Sequence, residues 1–96
     1  MSKYRRKPQL VEACLWDGSN TDGILDLKAY AHRDAKFLVE VVGPANDPRP
    51  TGVLEVVTID GNQVNVPIGA YVVLDPYGFP YPCSADVFKL TFEDLP

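Results

Sequence analysis

The chain is poor in the residues that most often do chemistry, with one histidine and two cysteines in 96 residues. Cys14 and Cys83 stand far apart, in no Cys-x-x-Cys spacing and beside no histidine cluster, which excludes a structural zinc site and a thioredoxin-like motif. Glycines such as Gly61, Gly69 and Gly78 are isolated, so no phosphate-cradling loop is present. Cations are few as well: nine Lys and Arg against thirteen Asp and Glu give a net charge of −4, which argues against binding nucleic acid through counterion release. The longest apolar runs, such as Tyr71 to Leu74, fall far short of the ~20 residues that cross a bilayer. The start, Met1-Ser2-Lys3-Tyr4-Arg5-Arg6-Lys7, is basic like a signal peptide, yet Pro8-Gln9-Leu10-Val11-Glu12 follows in place of an apolar stretch. The expectation is a cytoplasmic protein with reduced thiols, one domain over residues 1–96, no metal and no cofactor.

What is present reads as alternating strands with one helix. Gln9 to Trp16 alternates as a strand, Asp17-Gly18-Ser19-Asn20 carries turn chemistry, and a helix from about 22 to 31 follows, capped by Asn20 or Thr21. Ile24, Leu27 and Ala31 share its buried face. Lys36 to Val42 is a β-branched strand, ended by the proline-rich stretch from Gly43 to Gly52, which predicts a long loop. Leu54 to Ile59 and Gln63 to Val66 flank Asp60-Gly61, the signature of a type I′ hairpin. Ala70 to Leu74 is apolar on both alternating sets and predicts a central strand. After the Asp75-Pro76-Tyr77-Gly78 turn come a short strand from Phe79 to Cys83, a helical turn capped by Ser84, and a final strand from Lys89 to Glu93. The fold class is therefore α+β: a small, mainly antiparallel sheet of about five or six strands with one α-helix and a short C-terminal helical turn.

Four features compete for a functional role. His32 follows the helix, where an imidazole complements the helix dipole. Cys83 precedes the Ser84 cap, so a helix N-terminus would favour its thiolate, while the plain alternative is a small buried hydrophobe. Tyr77, Phe79 and Tyr81, interleaved with prolines, form a stiff segment whose rings either stack on a ligand or close the core. Arg5, Arg6 and Lys7 could hold a phosphate or simply form a solvated terminus.

The C-terminal half carries a recognisable pattern: Pro67-Ile68-Gly69-Ala70-Tyr71-Val72-Val73, then Gly78, Tyr81-Pro82-Cys83, Asp86-Val87-Phe88 and Thr91-Phe92-Glu93. With Tyr4-Arg5-Arg6-Lys7-Pro8, Val11-Glu12-Ala13 and Trp16-Asp17-Gly18 near the start, it resembles a family of small uncharacterised proteins encoded by tailed bacteriophages and prophages. Asp75-Pro76 replaces a glycine turn common there, and Phe79-Pro80 precedes Tyr81, so the local turn departs from the family pattern. The resemblance implies that a short helix tucks Phe88 into the core and that the Thr91-Phe92-Glu93 strand closes beside Val11 to Trp16.

Functionally, the thin catalytic chemistry together with the resemblance implies a non-catalytic phage accessory protein in the host cytoplasm, inhibiting or sequestering a host protein or a small nucleotide-like signalling ligand of antiviral defence. In the nucleotide version Arg5, Arg6 or Lys7 would meet phosphate and Tyr77 or Tyr81 would stack on a base, in a homo-oligomer large enough to close a pocket. The competing class is a minor virion or assembly protein. An enzyme ranks third and rests on Cys83 alone.

Overall fold

The structure, a computed structural model, describes residues 11–92. Its elements run β1 (Ala13–Leu15), α1 (Thr21–Lys28), β2 (Lys36–Val42), β3 (Arg49–Val57), β4 (Gln63–Val66), β5 (Tyr71–Leu74), β6 (Pro80–Cys83) and α2 (Ala85–Thr91). The fold is α+β, and every strand pairing is antiparallel. The six strands form two three-stranded sheets, β1-β5-β6 and β2-β3-β4, where the sequence suggested one. The division falls at Pro67-Ile68-Gly69: the Ala70 N–H donates to the Pro67 carbonyl across a turn whose Gly69 has φ +93, and the chain leaves one sheet for the other.

One core joins both sheets and α1. Trp16, Leu54, Val56 and Val72 are fully buried, with Ile24 and Leu27 of α1 and Val66 of β4 packed among them. Strand β6 meets β3 and β4, whereas α1 meets β1 and β2, so the helix completes the layer that the smaller sheet begins. Central β5 has Val72 and Val73 buried on its two faces, as its double apolar alternation requires.

Several local expectations are corrected. Helix α1 ends at Lys28, and the chain tightens through Tyr30 N–H to Leu27 and Ala31 N–H to Lys28, the i to i+3 bonds of a closing turn. Asn20 occupies the N-cap position without capping, because its side chain instead donates to the Leu15 carbonyl and the Cys14 sulfur. The proline-rich loop is shorter than expected, since β3 already begins at Arg49 and sets Pro50 opposite Val41. Pro50 is tolerated because it lies beyond the end of β4, and Gly52, at φ +95, absorbs the register shift between Val39 and Val41. The β3–β4 hairpin is present, but its turn is not type I′: only Gly61 has positive φ, and the Thr58 N–H donates to Asn62 across a three-residue loop. Asp60 holds that geometry by accepting from the Thr58 hydroxyl and the Asn62 amide.

The expected final strand is helix. Ser84 accepts from the Val87 N–H at 3.3 Å, and α2 continues through Thr91, because i, i+4 spacing brings the Phe88 and Phe92 rings to 4.9 Å. Phe88 stacks on Tyr71 at 3.8 Å but is only half-buried, so it covers the outer face of the β1-β5-β6 sheet and does not enter the core. Strand β1 is shorter than the expected Gln9–Trp16, pairs with β5 and not with Thr91-Phe92, and Gln9, Leu10 and Glu93 lie outside the described residues.

Candidate functional site

Two polar clasps shape the surface around the core. At the first, the indole N–H of Trp16 donates to the Gly52 carbonyl at 3.1 Å, pinning the end of β1 to the irregular part of β3. Asp17 closes the following turn by accepting from the backbone of Ser19 and Asn20 at 2.9 Å each. Those bonds, the Ser19 N–H first, hold its carboxyl below the usual range. At the second, the His32 ring stacks on Phe79 at 4.8 Å and the His32 N–H donates to the Gly78 carbonyl at 2.9 Å. His32 Nδ1 accepts from the Asp34 N–H at 3.0 Å, and the Asp34 carboxylate stands 3.8 Å from the same nitrogen. The dipole role expected for His32 is thereby corrected: the helix ends at Lys28, and the ring's contact is Phe79.

The residues singled out from sequence do not form one site. Arg5, Arg6 and Lys7 lie outside the described residues. Tyr77 stands 71% exposed on the β5–β6 turn. Tyr81 is half-buried and lies opposite Val73 in β6, on the face away from the core, and Phe79 between them is engaged by His32. Cys83 ends β6, half-buried, on the same outer face as Tyr71. Cys14 lies in the register row of Val72 and Pro82, Cys83 in that of Leu15 and Tyr71; adjacent rows point to opposite faces, and β5 runs between the two thiols. No disulfide spans that arrangement. Burial, followed by the Asp17 charge, pushes the Cys14 thiol up and keeps it protonated. Among the described residues no three His, Cys, Asp or Glu side chains are placed to hold a metal ion.

What sequence reading missed is a groove of about 340 Å³ between α1 and the β2 edge. One wall is Thr21, Ile24, Leu25 and Lys28 of α1; the other is Phe37, Val39 and Val41 of β2, and Pro48 and Pro50 close the end. The walls are apolar except for Thr21 and Lys28. Among the described residues Lys28 has no carboxylate partner, and Leu25 and Val41 are 62% and 52% exposed at the mouth. The signal was present in sequence: Phe37-x-Val39-x-Val41 is a longer apolar row than an eight-residue helix with two buried side chains can cover. Comparison with protein families, curated proteins and solved structures gave no match.

Proposed function

We propose that the protein is a non-catalytic binding protein of the phage accessory type, acting in the host cytoplasm by holding a host protein through the α1–β2 groove. The carrying observation is an open apolar groove of ligand size whose one ionisable lining residue among the described residues is Lys28, which has no carboxylate partner among them. Its occupant is an apolar segment of the host protein with a carboxylate near Lys28, since a buried aliphatic anchor supplies most of the affinity and the ammonium sets orientation. Tyr77 and Tyr81, the rings expected to stack on a base, lie outside the lining.

Affinity capture from phage-infected cells, read by native mass spectrometry, tests this reading. Leu25→Asp puts a charge at the mouth without touching the core and is expected to release the captured protein, with affinity falling at least about tenfold. Lys28→Glu should weaken capture and Tyr77→Ala should leave it intact. Capture that survives Leu25→Asp overturns the proposal, and so does retained nucleotide mass lost with Tyr77→Ala.

A further inference from the structure

Strand β2 is an edge: among the described residues only β3 pairs with it, and it runs seven residues with Leu38 and Val42 exposed at 44% and 55%. Such an edge offers an unpaired row of backbone donors and acceptors that proteins usually shorten, cover or guard with charge. Here the two charges on the strand, Lys36 and Glu40, flank Leu38 symmetrically on one face, and neither has an ion-pair partner among the described residues.

We propose that two copies of the chain associate by antiparallel pairing of their β2 strands about a two-fold axis at Leu38. Backbone donors alternate sides along a strand, so a two-fold antiparallel pair must be centred on a residue, which leaves few registers. Centring on Leu38 sets Lys36 opposite Glu40 of the partner subunit, and Glu40 opposite Lys36 of the partner subunit. It also sets Leu38 opposite its own copy and Phe37 opposite Val39 of the partner subunit. Centring on Val39 would oppose Leu38 to a carboxylate, and centring on Phe37 would set Asp34 against Glu40 of the partner subunit. Only the Leu38 register matches charge with opposite charge and apolar with apolar, and the resulting sheet is a continuous six-stranded one with an isologous seam. Phe37 and Val39, which wall the groove, also lie in this register, whereas Lys36 and Glu40 alternate to the other face of β2 and lie outside the groove lining, so the seam and the groove are probed through different side chains.

Sedimentation velocity on the purified full chain tests the seam, with circular dichroism checking the fold of each variant. The unaltered protein should sediment as a dimer. Lys36→Glu or Glu40→Lys each place two like-charged pairs across the axis and should raise the dissociation constant about tenfold. The double swap Lys36→Glu with Glu40→Lys restores both opposite pairs and should recover the dimer. A monomer at every concentration overturns the proposal, as does a dimer indifferent to the single changes or a double swap that fails to rescue.

Discussion

Trp16 shows how much one side chain decides here. Its ring is fully buried, and its single polar hydrogen is spent on the Gly52 carbonyl, so the bulkiest group in the core is also a fixed point between the two sheets. Replacing it with phenylalanine leaves that carbonyl without its donor and a gap beside it. Trp16→Phe should lose roughly 1–3 kcal/mol in urea unfolding without loss of the fold. Asp17, one residue on, makes a pH-dependent contribution. Because hydrogen bonding depresses its folded pKa, its stabilisation is complete above the unfolded carboxylate range and is lost as pH falls through the folded value. Stability followed by thermal melts should therefore decline below about pH 4, and Asp17→Asn should make that decline shallower. The sequence marked Trp16-Asp17-Gly18 as a signature, but which carbonyl the indole would meet depended on a bend in β3 thirty-six residues away.

Elements were legible where one periodicity dominated and misread where two coincided. Strand β2 has the bounds its alternation predicted, and β5 is central because both of its faces are apolar. Leu90 and Phe92 alternate like strand residues, yet Phe88 and Phe92 are also a helical i, i+4 pair, and the Ser84 cap decides for helix. Turns were found from composition, but their types were set by side-chain acceptors that composition does not reveal, Asp60 in one and Asp75 in another. The β5–β6 turn has a further demand. A methyl group on Gly78, which has φ +89, would meet the His32 nitrogen at 2.7 Å, whereas one on Gly61, at φ +87, would meet nothing within 4 Å. Gly61→Ala should thus show only the backbone penalty of roughly 1 kcal/mol, and Gly78→Ala clearly more, in parallel thermal unfolding.

At the scale of the whole molecule, the α+β class followed from the order of elements, while the division into two sheets and the groove did not. Both depend on where layers meet: β6 closes over β3 and β4, and α1 reaches β2 without covering it. No local pattern states how closely a helix will pack on the strand that follows it. The aromatic and proline pattern that led to Tyr77 and Tyr81 likewise named two rings without their placement, which the turn at Gly78 and the face of β6 directed to different surroundings. The sheet arrangement also ranks its parts by chain entropy. Strands β2, β3 and β4 are consecutive, whereas β1 finds β5 only after the whole of that second sheet has intervened. Closing a loop roughly tenfold longer than the β3–β4 connection costs about 2 kcal/mol more, so the smaller sheet is the part of the molecule for which the chain gives up most freedom per pairing.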